Sequence, residues 1–408
     1  MLEAEDSGAA FDGATAGSRM VIVGLGGGGC NAVARMNAGW TEGPMVAAVN
    51  TDSQALASCT VPVKVQIGKG ITQGLGAGGD PAVGKLAAED DGDSLRELVS
   101  QADIVVIVAA LGGGTGTGGV PILARIAREQ GAMTLCFVTL PFEFEGELRN
   151  QQAEDGLRAL RMQADVIITL PNQRLLELVE TQTGLADAFG KADAMLGVGV
   201  RSLWKFLSKA GIINLDFADL RHLVEHSGGS CSFGYGEGTG AAKALTAVSE
   251  LMKSPLLDRG RMLAQSGALM VSISGGPDLT LVDVQKIMSQ LTRVARPGVK
   301  LFMGATVDEG WQNRIALTVL AADSWSDEAG QVARPVLGVD KKDESLALDT
   351  KAGTKPAVVV PGRTIQPTLN FDTGDKGRFK NVEPTIYDGE DLDIPTFIRR
   401  GIKLSFEK

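Results

Sequence analysis

Two stretches hold residue types at spacings that could do chemistry on a phosphate. The first is LGGGTGTGGVP, Leu111 to Pro121, which follows the apolar run IVVIVAA and packs six glycines into eight residues. Glycine in a regular element costs roughly 0.5–1 kcal/mol relative to alanine, so six together point to backbone N–H groups kept bare for a ligand. A strand that feeds a glycine loop opening a helix aims several N–H dipoles and a helix N-terminus at one spot, which suits an anion. Thr115 and Thr117 add hydroxyls. The Lys of GxxxxGK[ST] is missing, so this is not a P-loop. Each helix end supplies only about 0.3–2 kcal/mol, so several loops must act together.

The second stretch is NLDFAD, with Asn214, Asp216 and Asp219 at an expected helix start. Carboxylates three residues apart on a helix face one way and could polarise a water or hold a cation's waters. The same spacing makes Asp216 an N-cap in a near capping box, and spacing alone supports both. Phe189 and Asp193 stand i, i+4, so a ring for base stacking and a carboxylate share one helix face. A carboxylate accepts from N1–H and the 2-amino group of guanine but does not match adenine. His222, Glu225 and His226 fit HxxEH, yet no third ligand follows, and they read as ordinary helix residues.

The elements that must position these groups follow from the hydrophobic pattern. Ordered sequence starts at Arg19 with the strand RMVIVG and a second glycine loop, LGGGGCNAVARM, in which Gly24, Gly26 and Gly29 match GxGxxG. That match alone is a weak dinucleotide signal, even with Asn50 and Asp52 ending the next strand where an acid could hold a ribose. A third glycine loop, GKGITQGLGAGGDPAVG, follows the strand VPVKVQIG, and three such loops exceed what a dinucleotide fold uses. Strands then alternate with helical stretches through DVIITLPN, which predicts a parallel sheet covered on both faces with its loops converging at the strand C-termini. From about Thr183 to Leu223 the pattern is helical, and a smaller α/β domain is expected to end near Asp323. Beyond it lies a charged stretch without period, read as a flexible linker, and then YDGEDLDIPTFIRRG, an acidic, apolar and basic cluster suited to a tethered recognition peptide.

Bulk properties narrow the classes. A chain of 408 residues exceeds one ordinary core. Its apolar runs are far shorter than the roughly 18–20 residues of a bilayer span. The N-terminus has no apolar segment of a secretory signal and reads as a disordered extension, which places the protein in the cytoplasm. A net charge of −10 argues against nucleic-acid binding. Cys30, Cys59, Cys136 and Cys231 show no CxxC spacing and suit reduced, buried thiols.

Taken together, GGGTGTGG, NLDFADLR and DIPTFIRR resemble the FtsZ family of bacterial tubulin homologues, from about Arg19 to Asp323 and again from about Gly377 to Arg400. The resemblance implies a Rossmann-like GTP-binding domain over 19–195 after a disordered extension at 1–18. A central helix and catalytic loop at 196–227 would join it to a C-terminal α/β domain at 228–325. A linker at 326–380 and a partner-binding peptide at 381–408 would complete the chain. It implies GTP or GDP as ligand, with Mg2+, held by Gly27, Gly28, Asn31, Gly78, Gly114, Thr115, Gly116, Thr117 and Gly118 at the phosphates. Glu145 and Arg149 would lie at the sugar and phosphate region, and Asn172, Phe189 and Asp193 at guanine. Asn214, Asp216 and Asp219 would complete the active site of the next subunit in a head-to-tail filament, the cytokinetic ring of a dividing cell. Asp393, Ile394, Pro395, Phe397, Ile398, Arg399 and Arg400 would dock division partners such as FtsA, so membrane contact would be indirect. The chain departs from the family at Leu140, where Lys is frequent, and after RIALTVLAA, which lacks a Thr-Gly ending. Those departures leave room for a divergent paralogue that binds GTP and regulates or co-assembles with the ring without efficient turnover.

Overall fold

The computed structural model describes residues 19–38, 40, 43–177, 184–208, 211–215 and 217–326, together with 386–387 and 390–391. The first half builds six strands, β1 (Met20–Leu25), β2 (Met45–Asn50), β3 (Val63–Gln66), β4 (Ile104–Ala110), β5 (Met133–Leu140) and β6 (Val166–Pro171). Between them run α1 (Gly26–Asn37), α2 (Ser53–Ser58), α3 (Lys69–Thr72), α4 (Pro81–Asp90), α5 (Gly92–Val99), α6 (Gly114–Glu129) and α7 (Glu147–Arg161). All six strands pair in parallel in the order β3-β2-β1-β4-β5-β6. That is the doubly wound order, which places a ligand at the strand C-termini where the order reverses, between β1 and β4. The apolar runs explain the parallel form: β1 and nearly all of β4 and β5 are buried along their whole length, as strands covered on both faces must be.

The long helix α8 (Leu185–Ser208) then leads to α9 (Phe217–His226) and the second half: β7 (Ser230–Thr239), α10 (Lys243–Lys253), α11 (Arg261–Gln265), β8 (Ala268–Gly275), α12 (Leu281–Val294), β9 (Lys300–Val307) and β10 (Arg314–Ala322). Here β10 lies antiparallel between β7 and β8, and β9 pairs in parallel with β8. β7 also joins β6, through Ile167↔Ser230 and Ile168↔Cys231, so both halves form a single sheet of 10 strands. A common core continues across this seam, from Ile22 and Val106 through Leu196, Val200 and Leu203 of α8 to Met270 and Leu320. The opposite face is covered separately, by α4 to α7 in the first half and by α10 to α12 in the second. α8 therefore packs where the two halves meet.

The four cysteines are free thiols, with Cys30, Cys136 and Cys231 buried. Burial pushes the Cys30 and Cys231 thiols up to about 12. Among the described residues no helix is long and apolar enough to cross a membrane. The chain divides after Val339, and the second unit shows a two-residue ladder, Ile386–Tyr387 against Glu390–Asp391. The extension at 1–18, the linker and the tail positions Asp393 to Arg400 lie outside the described residues.

Candidate functional site

The two helices that start at glycine loops meet at their first turns. α1 begins at Gly26 immediately after β1, and α6 begins at Gly114 after β4; neither has a side-chain N-cap. Elsewhere Asp52 caps α2, Asp80 caps α4 and Thr280 caps α12 through side-chain acceptors. A Cβ on Gly26, whose φ is +75°, would stand 2.8 Å from the Gly116 nitrogen. Two helix N-termini thus present their unpaired N–H groups and positive dipole ends side by side, an anion site built from backbone.

Within that site the glycines divide by role. Gly27, Gly78, Gly79 and Gly113 face open space, because an added Cβ would meet nothing within 4 Å. Gly27, Gly28 and Asn31 all lie exposed on the first turns of α1. Gly114, Gly116 and Gly118 are different: they are buried, and a Cβ would strike Ala77, the Ala110 carbonyl and the Pro81 carbonyl respectively. At Gly116 and Gly118 the missing side chain lets β4 and α4 approach α6. The hydroxyls expected for the ligand are also committed inside the protein. Thr117 Oγ1 accepts from Gly112 N–H at 2.8 Å, and Thr115 Oγ1 pairs with Thr51 Oγ1 at 2.6 Å. What Gly114, Thr115 and Gly116 can offer is backbone N–H.

Around this cradle stand the other expected residues. Glu145 accepts from Phe142 N–H at 2.8 Å and pairs with Arg149 at 3.0 Å, and the Arg149 side chain lies against Gly112. Asn172 opens the short turn after β6, is 5 % exposed, and its Oδ1 has no partner. Phe189 sets its ring at 5.4 Å edge-on to Phe142, which is itself stacked on Phe144. Asp193, one turn further along α8, is paired with Arg35 of α1. Burial pushes its carboxyl up to about 6, and the Arg35 guanidinium opposes that rise. An orphaned buried carbonyl and open glycines are what a guanine nucleotide would need here.

NLDFAD lies elsewhere. Ile213 exchanges backbone hydrogen bonds with Ala305 of β9, and Leu215 is buried against Gly304. Asn214 is exposed and accepts from Gly211 N–H at 3.3 Å, while Asp219 is half-buried in the first turn of α9; Asp216 lies outside the described residues. The helix from Asp193 to Ser208 alone spans about 22 Å, so this loop is remote from Phe189 and Asp193 of its own chain.

Two expectations need correcting. Asp52 was a candidate ribose acid, but it accepts from Gln54 and Ala55 N–H at 2.9 Å as the α2 cap, which removes the dinucleotide argument. His226 is not a plain surface residue: it is buried and stacks on Trp325 at 4.9 Å, while His222 is exposed on the same helix. Reading the sequence also missed Arg35, four residues after Asn31 on the same helix, and a cavity of about 600 Å3 along α8 from Asp193 to Lys205. The i+4 spacing from Asn31 was the available signal for the former; nothing local pointed to the latter.

This fold, with uncapped glycine helices at a sheet switch point and a long helix joining two halves, defines a nucleotide-binding protein of the tubulin type. The GTPase domain model of the Tubulin/FtsZ family matches residues 19–180, and the C-terminal domain model of the FtsZ family matches residues 229–324. An FtsZ dimer of M. jannaschii is 35 % identical over 74 % of this chain and 88 % of its own, with a TM-score of 0.68. A tryptophan-to-tyrosine mutant of M. jannaschii FtsZ is also 35 % identical, over 75 % of this chain and 91 % of its own, with a TM-score of 0.69. CetZ2 of Haloferax volcanii, a GTPγS-bound protofilament, shares the fold at 22 % identity, 76 % and 94 % coverage and a TM-score of 0.63. The chain belongs to the Tubulin/FtsZ family.

Proposed function

We propose that this chain is the self-assembling GTPase of the cytokinetic ring: it binds GTP in the cradle above and polymerises head-to-tail. Hydrolysis is completed at each subunit interface by the 211–219 loop of the neighbour. The observation that carries this reading is the length of α8. The 211–215 loop and Asp219 lie past the far end of that helix, with Ile213 tied to β9, so a subunit holding nucleotide at its glycine loops does not bring its own Asp219 to it. A second subunit stacked end to end does. A heterologous contact of this kind propagates as an open filament. The dimer and protofilament forms of the similar proteins support self-association.

In this reading Asn172 and Asp193 hold guanine, Phe189 borders the base, and Gly27, Gly28, Asn31, Gly78 and the α6 start hold phosphates. Glu145 and Arg149 flank the sugar and phosphate region. Mg2+ would offset phosphate charge that a loop without lysine leaves unmet, taking its ligands from phosphate and water. The ring lies in the cytoplasm at the division site, and the 381–408 peptide recruits partners such as FtsA, so membrane contact stays indirect.

Phosphate release and pelleting across a protein concentration series test the proposal. Turnover per subunit should rise above a threshold concentration, and Asp216→Ala or Asp219→Ala should slow it by about 10²–10⁴-fold with GTP binding intact. A rate per subunit unchanged by dilution overturns completion in trans. Leu140 and the Ala322-Asp323 end of β10 favour one other reading, a paralogue that binds GTP and co-assembles with or regulates the ring without efficient turnover; GTP binding with negligible phosphate release at all concentrations would select it.

A further inference from the structure

Asp193 is held by a residue from another helix. Its Oδ2 accepts from Nη1 of Arg35 on α1. The carboxylate side chain keeps only 16 % of its surface exposed and the guanidinium 52 %, so Arg35 reaches in from solvent over a nearly buried acid. Gly190, on the α8 turn before Asp193, lies beside the same guanidinium: a Cβ there would stand 3.8 Å from Arg35 Nη1. This contact uses one lone pair of Oδ2, which leaves Oδ1 and the other lone pair of Oδ2 to accept from a base.

Resting on the guanine reading above, we propose that Arg35 is a positioning residue for base selection: it keeps the Asp193 carboxyl in its acceptor-only form and so makes the site choose guanine over adenine. The logic is one of complementary edges. An ionised carboxylate only accepts hydrogen bonds, whereas a protonated carboxyl offers one O–H donor beside one acceptor. Guanine presents two donors on this edge, N1–H and the 2-amino group, and matches the ionised form. Adenine presents an N6 donor beside the N1 acceptor and matches the protonated form. The protonation state of one group therefore selects the base.

That state is finely balanced. Burial raises the Asp193 carboxyl to about 6, and Arg35 is the opposing influence. The cavity beyond it carries Arg201 and Lys205 from α8, Tyr235 and Glu237 from β7, and Arg314 from β10. Arg314 is bound up with Glu237, and among the described residues Arg35 is the cation paired with Asp193. Removing the guanidinium leaves burial unopposed, so the carboxyl protonates at higher pH.

The test is equilibrium binding of ribose-labelled mant-GDP and mant-ADP to the full chain from about pH 5.5 to 8.5, for wild type, Arg35→Met, Arg35→Lys and Asp193→Asn. Wild type should prefer mant-GDP at the alkaline end and lose affinity about tenfold per pH unit below the Asp193 midpoint. In Arg35→Met the same loss should begin about one unit higher or more, with mant-ADP gaining where mant-GDP weakens. Arg35→Lys should restore the wild-type midpoint. Asp193→Asn should keep only the pH dependence that the nucleotide's own terminal phosphate brings, equal for mant-GDP and mant-ADP, and Arg35→Met should add none to it. If Arg35→Met does not fold, Arg35→Gln carries the same expectation. A variant that binds mant-GDP more weakly by one factor at every pH, with the wild-type midpoint, overturns the inference and leaves the guanine reading standing. A wild type that binds both nucleotides equally at the alkaline end overturns the guanine reading and the inference with it.

Discussion

The glycine loops of the first half and the glycine-bearing strand β7 are alike in composition and do opposite things. In β7, Gly234, Gly236 and Gly238 lie under α10 and its following turn, where a Cβ would come within 2.2 Å of Leu257, 2.1 Å of the Ala247 carbonyl and 2.0 Å of the Lys243 carbonyl. These glycines exist so that a helix can rest on a strand. At Gly27, Gly78, Gly79 and Gly113 nothing stands within 4 Å of an added Cβ, so the protein itself does not require glycine there for packing. The boundary between the two uses runs through GGGTGTGG itself, since Gly113 is open and Gly118 is wedged against α4. Glycine density therefore marks close approach of a backbone to something, and only the neighbours say whether that something is protein or ligand.

Substitution to alanine separates the two kinds. Gly118→Ala drives a Cβ into the Pro81 carbonyl at 2.0 Å and the Lys85 nitrogen at 2.5 Å, backbone atoms that cannot swing aside. A loss of about 3 kcal/mol in denaturant unfolding is expected, with Gly236→Ala similar; a loss below about 0.5 kcal/mol would erase the contrast. Gly27→Ala should do the reverse. Its Cβ enters open space in the first turn of a helix, so folding stability should hold or rise by up to about 1 kcal/mol, while GTP affinity falls because the methyl occupies the phosphate's approach. Unchanged affinity would move the ligand away from α1.

The smallest effect concerns thiols. Cys30 sits beside the first glycine loop and Cys231 in β7, and burial raises both to about 12. Both should stay unmodified by iodoacetamide near pH 8, where the thiolate fraction is about 10⁻⁴, while half-buried Cys59 reacts first. Faster labelling of Cys30 than of Cys231 would show that the ligand-facing glycine region opens more often than the packed one, sharpening the comparison.

Much of this was legible from local pattern. Strand and helix order in the first half, the convergence of glycine loops, and the shared face of Phe189 and Asp193 follow from spacing, because backbone dihedrals, helix starts and side-chain faces are decided over a few residues. The dual reading of Asp52 was not resolvable that way, since an acid after a strand serves equally as a ribose ligand or as a cap until the next helix is seen to donate to it. Nor was the split among the six glycines of GGGTGTGG, which depends on α4 arriving from earlier in the chain.

The chain's sequence by itself determined a parallel sheet with glycine loops at its strand C-termini, the acidic stretch NLDFAD and a family resemblance that the family matches bear out. Tertiary structure alone decided that the two halves share one sheet through Ile167 and Ile168, that the 211–215 loop is tied to β9, and that Arg35 holds Asp193 from 158 residues away. Each is a contact between elements distant in sequence. Such contacts leave no local periodicity, because their geometry is set by how α8 packs at the seam between the halves.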